Sequence, residues 1–88
     1  MSLLPSSQTS LNQHSLEALE AWLCELGAHQ SSHDPCLWIW DMPNWTAQIK
    51  MEQDELQVTW DKAGQLNHCS FSYGLSRHDV QTAIGEGP

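Results

Sequence analysis

The stretch Trp45-Thr46-Ala47-Gln48-Ile49-Lys50-Met51 alternates apolar and polar side chains without a break. A period of two marks a strand with one packed face and one face in water. It lies within a longer run, Trp38–Tyr73, that holds four of the chain's five tryptophans and reads as short alternating strands. The rest of the chain has to supply the cover for the packed face.

Three turns divide that run. Asp41-Met42-Pro43-Asn44 carries the Pro and Asn of a turn. With Trp40 and Trp45 flanking it as partners, Trp38 falls opposite Ala47 and Cys36 opposite Ile49. Glu52-Gln53-Asp54-Glu55 turns Met51 back onto Leu56, which sets Ile49 opposite Val58 and Ala47 opposite Trp60. A turn over Ala63-Gly64-Gln65-Leu66 places Trp60 opposite Cys69, Val58 opposite Phe71 and Leu56 opposite Tyr73. All three registers gather the apolar side chains on one face, and a slip of one residue would send a whole strand's set into water. The other face is Thr46, Gln48, Lys50, Gln57, Thr59, Asp61, His68, Ser70 and Ser72, with Leu37 and Ile39 as its apolar exceptions. Those two need either a cover, such as the N-terminal arm, or a partner at an exposed sheet edge.

Helices flank the strands. Ser15 caps Leu16–Leu26, where Leu16, Leu19, Trp22, Leu23 and Leu26 form one stripe and Gly27 ends the helix. Ser76 and Asp79 have capping-box spacing ahead of Val80, Ala83 and Ile84, with Gly85 as the stop. The expected fold is α+β: a two-layer α-β-β-β-β-α chain, with a four-stranded antiparallel meander and an N-terminal and a C-terminal helix packed on one face. Residues 1–13, rich in Ser, Gln and Asn, read as a flexible arm, and 14–88 as a single domain.

Eighty-eight residues allow only a modest core, and five tryptophans compensate, each able to bury on the order of 200 Å². Trp22, Trp38, Trp45 and Trp60 fall on packed faces, so they read as core and not as a stacking platform. Eleven acids face three bases, Lys50, Lys62 and Arg77, for a net charge of -8. That balance excludes nucleic acid as a partner and disfavours anionic membrane surfaces. Direct membrane insertion is not expected, because no apolar run approaches the ~20 residues of a span. It suits a protein partner with a basic surface. Three cysteines, Cys24, Cys36 and Cys69, with no CxxC pair and no leader read at Met1–Pro5, lead us to expect reduced thiols and a cytoplasmic protein.

Catalytic chemistry finds no support: there is no Gly-rich phosphate loop, GxSxG or HExxH. Cys24 is surrounded by Glu17, Glu20 and Glu25, the wrong field for a thiolate nucleophile. His29, His33 and Cys36, with His68 and Cys69 as a second pair, carry the donor types for Zn²⁺. Their spacing matches no standard finger, and the bland reading is loop histidines with small buried thiols. Glu52, Asp54 and Glu55 share one turn, which lacks the ligand ladder and Gly of a calcium loop. Arg77, at a helix start, is poorly placed for the dipole and should pair with Asp79 or serve a contact.

The chain resembles a small cyanobacterial family of uncharacterised proteins, domain-of-unknown-function family 3143. The resemblance rests on the Ser- and Pro-bearing arm, on His14-Ser15-Leu16-Glu17-Ala18-Leu19-Glu20-Ala21-Trp22-Leu23 and on the tryptophan strands from Trp38 to Trp60. The tail Tyr73-Gly74-Leu75-Ser76-Arg77-His78-Asp79-Val80, with Gly87-Pro88 at the end, is its most specific part. It implies a soluble cyanobacterial protein and brings no catalytic residues with it. The expected function is a non-enzymatic protein–protein interaction module, an accessory, adaptor or assembly factor. Its contacts would be Leu37 and Ile39 at the sheet edge, Glu52, Asp54 and Glu55 at the acidic turn, and Arg77. A homodimer through the sheet edge is compatible with this. The alternative is a small metal- or ligand-binding protein using His29, His33, Cys36, His68 and Cys69.

Overall fold

Two serines open the two long helices. The Ser15 hydroxyl accepts from the Ala18 amide at 3.1 Å, and the Ser76 hydroxyl accepts from the Asp79 amide at 3.1 Å. Each satisfies one of the amides that a first helical turn leaves unpaired. The first helix, α1, is Leu16–Leu26 and ends at Gly27, whose φ of 100° is the left-handed conformation that glycine adopts without strain. The second, α2, is Arg77–Glu86. It runs through Gly85 and stops at Gly87, two residues beyond the expected end. This computed structural model describes residues 6–87.

Between the helices lies a five-stranded antiparallel sheet in sequence order: β1 His29–Gln30, β2 Leu37–Asp41, β3 Thr46–Met51, β4 Glu55–Lys62 and β5 Gln65–Ser72. The class is α+β as expected, with one strand more than the four read from the pattern. The extra strand is β1, which pairs His29 with Ile39 and Gln30 with Trp38. Two polar residues have no alternation to betray them.

The three hairpins keep the expected faces, and one keeps the expected register. Across β3 and β4, Met51 pairs with Leu56, Ile49 with Val58 and Ala47 with Trp60. In the β2–β3 hairpin Trp40 pairs with Ala47 and Trp38 with Ile49, two residues from the expected partners. The turn is built on Met42–Trp45, closed by the Met42 amide on the Trp45 carbonyl at 2.8 Å. Trp45 therefore sits in the turn and meets Trp40 edge to face, ring centroids 5.8 Å apart. In the β4–β5 hairpin the loop is only Ala63-Gly64, both at positive φ (53° and 85°), so Lys62 pairs with Gln65 and Val58 with Cys69. Two residues at positive φ make the tight turn that matches strand twist. Asn-Gly would have announced it; Ala-Gly does not.

One face of the sheet carries the core. Trp38, Ala47, Ile49, Leu56, Val58, Trp60 and Phe71 cluster with Trp22 and Leu23 of α1 and Val80 and Ile84 of α2. Two indoles tie these elements: Trp22 Nε1 donates to Gln81 Oε1 at 3.0 Å, joining α1 to α2, and Trp60 Nε1 donates to the Ile84 carbonyl at 3.2 Å, joining the sheet to α2. Leu16, expected in the α1 stripe, is instead 63% exposed.

The described part of the N-terminal arm is docked. Leu11 is buried, its amide donates to the Leu75 carbonyl at 2.9 Å and the Asn12 amide to the Tyr73 carbonyl at 2.8 Å. The Arg77 and His78 amides in turn donate to the carbonyls of Thr9 and Ser7. Over residues 6–13 the arm thus runs as a strap on the β5–α2 junction. Leu3, Leu4 and Pro5, and Pro88 of the tail, lie outside the described residues.

Candidate functional site: a cleft beside the first helix

The exposed Leu16 side chain belongs to a cleft of about 380 Å³, at the end of the sheet where α1 begins. Leu16, Leu19 and Glu20 form one wall, and Met51, Glu52 and Tyr73 the facing one. Gln30, Pro35 and Cys36 complete it from the segment that joins β1 to β2. That volume is at the small end of ligand pockets, enough for one or two large side chains.

Hydrogen bonds to and from the backbone hold the walls. The Met51 amide donates to the Cys36 carbonyl at 2.9 Å, the Cys36 amide to Asp34 Oδ1 at 2.9 Å, and Gln30 Nε2 to the Pro35 carbonyl at 2.7 Å. The Tyr73 hydroxyl donates to the Glu52 carbonyl. Burial raises the Tyr73 phenol above its ordinary value of 10.0, and the charges of Glu52, Cys36 and Glu55 push it the same way. A phenol held neutral, with its proton committed to a carbonyl, is a structural strut and no general base. The floor and near wall are apolar, and Glu20 and Glu52 rim them. Lys50 Nζ lies 3.4 Å from Glu52 Oε1 and 3.8 Å from Asp34 Oδ2, so one of the chain's three bases sits at this end.

Of the residues singled out for contacts, Glu52 alone lines this cleft. Asp54 and Glu55 share its turn, Asp54 exposed and Glu55 half-buried. Leu37 and Ile39 lie on the opposite face of the sheet, half-buried beside Lys50 and Gln48. They are not on an edge: β1 pairs along Ile39, and the Ser31 amide donates to the Leu37 carbonyl at 2.8 Å. The described arm docks at the β5–α2 junction and does not cover them. Arg77 is buried at the start of α2, and among the described residues it forms no ion pair with Asp79.

The histidine–cysteine set does not converge. His29 and His68 end one cross-strand row, His29–Ile39–Gln48–Thr59–His68. Four strand spacings of ~4.8 Å put them ~19 Å apart. His29 Nδ1 stands 4.0 Å from Asp41 Oδ2, and His68 Nδ1 shares a hydrogen with Thr59 Oγ1 at 2.9 Å. Among the described residues no three His, Cys, Asp or Glu side chains gather as a metal site would need. Cys24, Cys36 and Cys69 are all exposed free thiols, so the bland expectation that Cys36 and Cys69 are buried core thiols is also corrected.

The cleft escaped the sequence because its walls come from positions as distant as Leu16 and Tyr73. Its one trace was Leu16, at the end of the apolar stripe, where a helix begins to overhang the sheet.

Among the described residues no helix is long and apolar enough to cross a membrane. No curated protein and no solved structure matches the chain. Residues 26–87, which span all five strands and α2, match a family described as a protein of unknown function, DUF3143, and the chain belongs to that family.

Proposed function

We propose that this chain is a non-enzymatic protein-interaction module, an adaptor or assembly factor of the cyanobacterial cytoplasm, that takes a partner's apolar side chain into the cleft beside α1. The observation that carries the reading is the exposed Leu16 over an apolar floor with Glu20 and Glu52 at the rim. Burying Leu16 against an incoming apolar side chain removes two exposed hydrocarbon surfaces from water at once. The acidic rim, on a chain of net charge -8, favours a basic residue next to that side chain and discourages an acidic one. Binding of this kind weakens with salt, since exposed charges are screened.

The test is affinity capture from a cyanobacterial lysate on the chain and on its Leu16→Glu variant. An added acid in the first turn of a helix is compatible with the dipole, so the variant retains the fold. The reading expects a protein retained by the wild type, released by rising salt and lost from the variant. Equal retention by both, or by neither, contradicts it. A zinc role for His29, His33, Cys36, His68 and Cys69 is the second reading of the sequence, and it lacks a converging set of donors.

A further inference from the structure

Among the described residues the last strand has no strand neighbour on its far side. β5 is eight residues long, Gln65–Ser72, and is the outer strand of the sheet. Natural edge strands are blunted by lysines, prolines, inward charges or brevity. β5 uses none of these: it contains no Asp, Glu, Lys, Arg or Pro, whereas β2, β3 and β4 each carry at least one charged residue. Its helix-side face is also bare, since Asn67 and Cys69 are exposed and only Phe71 is buried.

The register says which groups point outward. A two-residue loop makes Lys62 and Gln65 a hydrogen-bonded pair, and pairs alternate along an antiparallel ladder. Trp60–Asn67, Val58–Cys69 and Leu56–Phe71 are then bonded pairs too. Leu66, His68, Ser70 and Ser72 turn their amides and carbonyls away from β4. The Ser72 carbonyl already accepts from the Leu75 amide at 3.1 Å and keeps one lone pair.

We infer that two copies of this chain pair antiparallel through β5, with Cys69 on the two-fold axis. A second copy fits because the free edge is self-complementary. Only with Leu66 opposite Ser72 and His68 opposite Ser70 does every outward residue of one copy face an outward residue of the other. That register places Cys69 opposite its own mate in a non-hydrogen-bonded pair. Charge points the same way: on a chain of net charge -8, β5 carries no carboxylate, so two copies meet along it without opposing like charges. The two sheets join as one of ten strands, helices on the same side. Pairing through a single strand is a small interface, so the dimer is a reversible one. This inference uses the far edge of the sheet and stands apart from the cleft.

The Cα atoms of a non-hydrogen-bonded pair are ~4.5 Å apart, within reach of a disulfide. Three single-cysteine chains are therefore compared, each keeping Cys24, Cys36 or Cys69 with serine at the other two positions. Diamide is added as oxidant; it takes up the two electrons and two protons of each thiol pair and becomes the hydrazine. The Cys69 chain is expected to form disulfide dimer on the order of tenfold faster than the other two, because pairing raises the local thiol concentration. Ser70→Pro, which removes only an outward amide, should abolish that advantage. Ser70→Glu, which brings two like charges to diagonal positions across the axis, ~7 Å apart and within reach of long side chains, should do the same without a proline. Equal rates for the three chains overturn the inference, and so does an advantage that survives Ser70→Glu in a variant with native tryptophan fluorescence.

Discussion

The hydroxyl of Tyr73 donates to the carbonyl of Glu52, and that bond fastens the exit of β5 to the turn between β3 and β4. The same ring lines the cleft wall facing Leu16 and Leu19. One side chain thus links the fold of the sheet's end to the shape of the site.

Tyr73→Phe removes the bond and leaves the ring, and should cost about 1 kcal/mol, read from urea unfolding. Its pH dependence has a definite sign. Burial first, and nearby acids second, raise the folded-state pKa above the ordinary 10.0, so the folded form holds the phenol's proton more tightly than the unfolded form. The contribution is complete below pH 10.0 and is lost as pH climbs through the raised value. Because Tyr73 is the only tyrosine, tyrosinate absorbance follows it alone. Its midpoint should fall in urea, toward the free-tyrosine value.

Gly87 and Gly64 should respond differently to alanine. Both have positive φ, 83° and 85°. A Cβ at Gly64 meets nothing within 4 Å, while one at Gly87 lies 2.7 Å from Trp45 Nε1. Gly64→Ala should cost the backbone strain alone, about 1 kcal/mol. Gly87→Ala adds displacement of the indole, for about 2 kcal/mol or more. Tryptophan emission should shift in the second variant only.

Ser15→Ala and Ser76→Ala each delete one cap and should each cost about 1 kcal/mol. The two caps share no partner, so the double variant should lose the sum. Thermal unfolding by circular dichroism measures all three.

What the sequence disclosed follows from how each feature is encoded. The alternation from Trp45 to Met51 sets which face packs, and the four polar residues Glu52–Glu55 set the β3–β4 register outright. In the other hairpins the pattern fixes parity alone, and a shift of two preserves parity. There the outcome fell to Trp45 meeting Trp40 edge to face, and to Ala63 accepting a conformation that alanine rarely adopts. Both helices and their caps were legible because capping serines and stripes are local signals. The cleft and the docked strap were not, since each depends on residues that only the fold brings together. Leu37 and Ile39 looked like an edge because β1 is too short and polar to announce itself.

The most direct test of the cleft as the partner-binding site is backbone and methyl chemical-shift mapping of the labelled chain against the captured partner. Shifts centred on Leu16, Leu19, Met51 and Tyr73, absent with the Leu16→Glu variant, are the predicted result. Shifts centred on Leu37 and Ile39 across the sheet, with the cleft unmoved, would contradict it.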